Sequence, residues 1–183
     1  MDILSVESMN VILSSYAERG DYYDVDANLQ LMKEMGINPN EDSFSFAMEA
    51  LGKHLLRTDR KSRHTIQEDI LGNADNVLVQ MEEYGISPNV HIVRNYIELL
   101  CLAGEVATAT NVVNSCIETG SRSSVNNKTL YRVAMANVND GNYDAAVYLS
   151  SLMTESMPVL DRKIQELKAG QETNSIQGEM NEK

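Results

Sequence analysis

Few side chains in this sequence are placed for covalent chemistry. His54, His64 and His91 are scattered, and the chain shows no His/Cys metal-ligand spacing, no Gly-rich phosphate loop and no nucleophile–base set. Cys101 and Cys116 lie inside apolar helical patterns, the setting of buried reduced thiols rather than of a metal site or a disulfide. No enzymatic activity, cofactor or metal is expected. The polar residues that recur are amides. Asn40 and Asn89 close the strings MKEMGINPN (Met32–Asn40) and MEEYGISPN (Met81–Asn89), which share six of nine positions. A carboxamide both donates and accepts hydrogen bonds, so it suits recognition. After a helix-ending proline it suits capping the next helix equally well.

The elements that position these amides repeat. Met9, Ile12, Leu13 and Tyr16 fall at i, i+3, i+4, i+7, as do Phe44, Ala47, Met48 and Leu51, and Val93, Tyr96, Ile97 and Leu100. Each set is one face of a helix. Leu130, Val133, Ala134 and Asn137 keep the spacing with a polar last member, as an end repeat with less to bury would. Gly20, Gly104 and Gly141 then offer the left-handed conformation that closes a helix. A second helix follows, with apolar positions Val25, Leu29 and Met32; Ala74, Leu78 and Met81; Ala109, Val113 and Cys116; and Ala146, Leu149 and Met153. It ends at Gly36, Gly85 or Gly120, twice with a proline three residues on. The unit is a helical hairpin of about 35 residues.

Composition bounds the rest. The chain has 183 residues, 43% of them apolar, enough for one domain or a short repeat array. It lacks an apolar run of about 18 residues, so no membrane span is expected. Net charge is −12, with seven acids against two bases in residues 1–40. Such a chain repels a phosphate backbone at long range, so any nucleic-acid role must rest on a local face. The opening MDILSVESMN holds two acids and no base, unlike a transit or signal peptide.

The stretch ESMNVILSSYAERGDYYDVDANLQLMKEMGINPN, Glu7–Asn40, resembles the pentatricopeptide repeat along its length. It has a small polar residue early in helix one, the Gly20 turn, Met32 before a charged pair and the Gly-Ile-x-Pro-Asn ending. The tetratricopeptide pattern is absent, and so is tryptophan. The resemblance implies an all-α fold, a right-handed α-solenoid of about four helix-turn-helix repeats over residues 6–158, with units 6–40, 41–89, 90–126 and 127–159. Unit two is about 14 residues too long. The surplus, near 56–69, is expected to be an inserted loop, and it carries Arg57, Arg60, Lys61 and Arg63. That loop is either simply solvated or a contact for phosphate or a partner. Residues 160–183 are expected to form a short capping helix and a polar, disordered tail.

The resemblance also implies single-stranded RNA as the partner, read one base per repeat by side chains of the first helices. In the family the reading pair is the fifth and the last residue of each repeat. Unit one offers Asn10 with Asn40 and unit two Ser45 with Asn89, which implies a preference for 5′-pyrimidine-A-3′. Unit three places Arg94 at the fifth position with Asn126 or Ser124 at the end, and unit four places Tyr131 there. Arg94 and Tyr131 either stack on bases or touch phosphate, or are plain surface residues. Lys53, near the end of a first helix, is a phosphate contact or an ordinary surface lysine. With about 1–3 kcal/mol per stacked base, four units supply on the order of 4–12 kcal/mol before ordering costs. A longer array or a protein partner is therefore expected to complete selection. The resemblance further implies an organellar protein, mitochondrial or plastid, acting in RNA processing, stability or translation. The alternative is a protein-interaction scaffold that uses the helical groove without RNA.

Overall fold

The computed structural model describes residues 4–181, with the side chains of 60–64 and 172–181 outside that description. Every regular element among the described residues is helical. Two compact units divide the chain, Met1–Ala103 and Gly104–Lys183. The boundary falls between the two helices of the third expected repeat.

The first unit holds α1 (Val6–Arg19), α2 (Tyr22–Glu34), α3 (Glu41–Arg57), α4 (Arg60–Glu83) and α5 (Val90–Ala103). α1 and α2 form one hairpin and α3 and α4 the next, while α3 packs between α1 and α5. Leu13, Val25, Met32, Phe44, Met48, Leu51 and Met81 are fully buried in one core. Ile12, expected on the buried face of α1, is 38% exposed and points away from that core. Its neighbours Met9, Leu13 and Ala17 define the buried face instead.

The twin strings fold into the same helix stop. Gly36 (φ 71°) and Gly85 (φ 69°) occupy the left-handed region. The Gly36 N–H donates to Lys33 O at 3.1 Å and the Ile37 N–H to Met32 O at 2.9 Å. Gly85 and Ile86 repeat this on Glu82 O at 2.9 Å and Met81 O at 2.8 Å. This pair of bonds satisfies orphan carbonyls, and the following isoleucine packs back on the core. Met, Gly, Ile and Pro each have a fixed job in it, which explains the near-identical lettering.

The surplus of unit two is not a loop. α3 runs to Arg57 and α4 begins at Arg60, so the added residues lengthen helices. The reason is a stripe the basic residues obscure: Ile66 and Ile70 continue, one turn apart, the row formed by Ala74, Val77 and Met81. Ile70 is 4% exposed, and Ile66 packs on the same core. The side chains of Arg60, Lys61 and Arg63, proposed as contacts from the sequence, lie outside the described residues.

The second unit holds α6 (Val106–Glu118), a 3-10 turn at Arg122–Ser124, α7 (Asn127–Asn139), α8 (Tyr143–Ser151) and α9 (Pro158–Asn181). α9 packs on both α7 and α8, through Leu160 and Ile164. The short capping helix and disordered tail expected beyond 160 are replaced by one helix reaching Asn181. Its buried anchors Leu160 and Ile164 and the half-buried Leu167 lie on one face, and no proline follows them. Asn137, the polar member of the fourth stripe, is 1% exposed. Its amide donates to Thr110 Oγ1 and Val133 O, both at 2.9 Å, which removes the cost of burying it. Met153 falls beyond α8 and is only half-buried.

Candidate nucleic-acid interface

The seam where α1 meets α3 brings together the two residues that sequence position pairs. Asn40 is the N-cap of α3, and its Oδ1 accepts from the Ser43 N–H at 3.1 Å. The same oxygen accepts from Asn10 Nδ2 at 3.0 Å, across from α1. Ser43 closes the set: its hydroxyl donates toward Asn10 Oδ1 at 2.7 Å and accepts from the Asn40 N–H at 3.1 Å. Capping and pairing are thus one network. It commits the Asn40 carbonyl oxygen to protein and leaves its half-buried amide nitrogen as the donor available to a ligand. Ser43, fully buried, is the member that sequence reading missed. The signal was present as Asn-x-x-Ser, the spacing of a capping box.

The next seam repeats the arrangement in weaker form. Asn89 Oδ1 accepts from the Ile92 N–H at 2.9 Å, and Asn89 Nδ2 reaches Ser45 Oγ at 3.5 Å. Isoleucine at the third position has no hydroxyl to lock the amide, so this pair is held more loosely. Both pairs are half-buried.

The other sequence candidates separate. Lys53 pairs with Glu49 one turn earlier at 2.5 Å, so its charge is locally offset. Its backbone and Cβ pack under the Gly20 turn, where an added Cβ would meet Lys53 and His54 at 3.0 Å. His54 Nδ1 lies 3.2 Å from Gly20 O, and Arg57 donates to Glu18 O at 3.2 Å. His54 and Arg57 of α3 therefore finish the last carbonyls of α1, while Lys53 is paired within its own helix. Arg94 is half-buried on α5, in the first unit. Asn126 and Tyr131 belong to the second, where Asn126 Oδ1 caps α7 through the Thr129 N–H at 2.9 Å and Tyr131 is half-buried.

Alongside the second pair, α3 and α5 enclose a groove of about 360 Å³ whose lining includes Glu49, Lys53, His91, Asn95 and Glu98. Two carboxylates against one lysine make this surface unwelcoming to phosphate. Between α5 and α4, Tyr96 donates to Asp75 at 2.7 Å. Burial first, and that bond second, hold the Tyr96 phenol well above its usual range. Burial alone pushes the Cys101 thiol up to about 11. Both cysteines are unpaired thiols.

A family model, the pentatricopeptide repeat domain, matches residues 3–54. Residues 3–54 are thus similar to a pentatricopeptide repeat domain. The matched span covers α1, α2 and most of α3, and with them Asn10, Asn40, Ser43 and Ser45. The Asn10–Asn40 seam therefore lies wholly within the span similar to that domain. No curated protein matches the chain. Among the described residues no helix is long and apolar enough to cross a membrane.

Proposed function

We propose that the chain binds single-stranded RNA through the seams between successive first helices. Asn10 with Asn40 would read one base and Ser45 with Asn89 the next, in the order 5′-pyrimidine-A-3′. The observation that carries this reading is the convergence of both pairs. Residues 30 and 44 positions apart come within hydrogen-bonding distance at equivalent points of two repeats. Neutral amides and a hydroxyl at a helix seam match the edges of unpaired bases, whose donors and acceptors alternate. Arg94 would extend the track within the first unit, Asn126 and Tyr131 would contact RNA within the second, and a partner or further repeats would complete the selection of a transcript. An organellar site of action, in processing, stability or translation, accompanies this reading on the strength of the repeat class alone.

The test is fluorescence anisotropy of the purified chain with short single-stranded RNAs that contain or lack pyrimidine-A steps. Preference for those steps, lost in an Asn40→Asp, Asn89→Asp variant of unchanged circular dichroism, is the expected result. Equal binding of all sequences, or none at low salt, would move the function to a protein-interaction scaffold.

A further inference from the structure

In a chain of net charge −12, residues 119–139 hold three bases, Arg122, Lys128 and Arg132, and no acid. Two of these bases meet in the second unit. Arg122 of the 3-10 turn and Lys128 of the first turn of α7 line a pocket of about 440 Å³, together with Asn126, Asn127, Thr154 and Glu155. Lys128 does not serve the helix it stands on. α1 and α3 carry Glu7 and Asp42 at the same place, where a carboxylate is favoured by the helix dipole and a lysine is opposed by it.

The walls of the pocket are tied together within the unit. Asn127 Nδ2 donates to Thr154 Oγ1 at 2.8 Å and Asn127 Oδ1 accepts from the Thr154 N–H at 3.2 Å, which holds the segment after α8 against the start of α7. Arg122 donates to Leu152 O at the end of α8. Asn126 Oδ1 is consumed by the Thr129 N–H at 2.9 Å and the Thr129 hydroxyl at 3.0 Å. The groups left over are therefore donors: the Asn126 amide nitrogen, Lys128 Nζ and the remaining N–H groups of Arg122. Glu155 is the opposing carboxylate of the lining, and among the described residues neither it nor Lys128 forms an ion pair. The pocket has a surplus of positive charge and of donors, the reverse of the α3–α5 groove.

We propose that this pocket holds a backbone phosphate of single-stranded RNA. The inference rests on the RNA binding proposed above and adds the charged contact that the neutral seams do not provide. A guanidinium and an ammonium together answer both the charge and the oxygens of a phosphate diester. Tyr131 is half-buried one turn after Lys128 on α7, so a ring for stacking and the Asn126 amide for a base edge stand on either side of the lysine. An acidic protein segment would use neither, which is why RNA is the favoured occupant.

The experiment is an anisotropy titration at several salt concentrations, with single-stranded RNAs that contain or lack pyrimidine-A steps and are long enough to reach both units. The full chain is compared with Lys128→Gln and with Lys33→Gln, a control on α2 that removes the same charge away from the pocket. Losing one phosphate contact on a single strand flattens the salt slope by about 0.7. Lys128→Gln should show that flattening, weaken all sequences alike and keep the pyrimidine-A preference, while Lys33→Gln keeps the parent slope. A slope unchanged in Lys128→Gln, with the preference intact, overturns the pocket alone and leaves it to an anionic partner other than RNA. Equal flattening in both variants also overturns it, because net charge is then the cause. Flattening confined to Lys128→Gln in a chain that shows no sequence preference upholds the pocket and overturns base reading at the seams. A parent chain that binds no RNA overturns both.

Discussion

Asn40 holds α3 in place and stands in the seam at the same time, and the two roles separate chemically. Aspartate caps a helix as well as asparagine does, and its carboxylate still accepts from Asn10 and Ser43, but it offers no amide donor. We expect Asn40→Asp to keep its urea midpoint and lose base preference. Asn40→Ala should lose the cap, about 1 kcal/mol, and also leave Asn10 and Ser43 short of a partner, at roughly 1–3 kcal/mol more. Equal stability of the two variants would mean that the network contributes nothing to the fold. Which residues meet was legible from repeat position alone. Their geometry was not, because Ser43 acts through burial against α1, thirty-odd residues away in sequence. A second residue-scale prediction concerns Cys101. Its thiol is neutral in the fold up to about pH 11, whereas an unfolded thiol ionises around 8.5. The folded state therefore holds the proton longer, so its stability is complete below the unfolded value and is lost as pH rises through this window. Urea midpoints should fall between pH 9 and 11, less so in Cys101→Ala, and a thiol reagent at pH 8 should leave Cys101 largely unmodified until urea is added.

At the scale of the element, the turns are more informative than the helices they join. Gly20 and Gly36 both have positive φ, 67° and 71°, so alanine at either is strained by about 1–2 kcal/mol. At Gly36 nothing lies within 4 Å of an added Cβ, while at Gly20 the Lys53 carbonyl carbon and the His54 nitrogen lie at 3.0 Å. Gly20→Ala must therefore push α1 and α3 apart, and it should lower the urea midpoint distinctly more than Gly36→Ala. Matched losses would show that the two helices do not approach closely there. The short-range stripes of Met9 and Leu13, Val25 to Met32, and Phe44 to Leu51 were readable because period and burial agree within one hairpin. The extension of α4 was not, because four bases in seven residues from Arg57 to Arg63 suggest solvent, and only the distant register of Ile66 and Ile70 argues otherwise. The same conflict hid the length of α9. Ile70→Ala tests the reading of α4 directly. It should cost about 2–5 kcal/mol and strip hydrogen-exchange protection from the amides before Ala74 first, whereas a mere loop insertion would leave protection after Ala74 as the only signal.

For the whole molecule the governing quantity is charge. A chain of net −12 would meet RNA against its own field, and two cations of α3 are already engaged, Lys53 with Glu49 and Arg57 with the end of α1. Affinity must then come from bases rather than phosphates, and the salt dependence reports which. If one or two phosphates are contacted, the counterion slope is about −0.7 to −1.4, so a rise from 50 to 200 mM salt weakens binding only about three- to sevenfold. Screening of the long-range repulsion acts in the opposite direction, since the Debye length shortens over the same range. The net dependence should be shallower still. Removing the opposing carboxylates should help: Glu49→Gln with Glu98→Gln frees Lys53 and takes two negative charges out of the groove. Each exposed charge at contact distance is worth about 1 kcal/mol in water, so a gain on the order of fivefold or more in affinity is expected at low salt, with a steeper salt slope as Lys53 becomes available. Anisotropy titrations of the parent and the double variant at three salt concentrations decide the matter. A steep slope in the parent would reveal a phosphate-tracking basic surface and displace the seams as the seat of binding. No gain in the double variant would place the RNA away from the α3–α5 groove and restrict reading to Asn10 and Asn40.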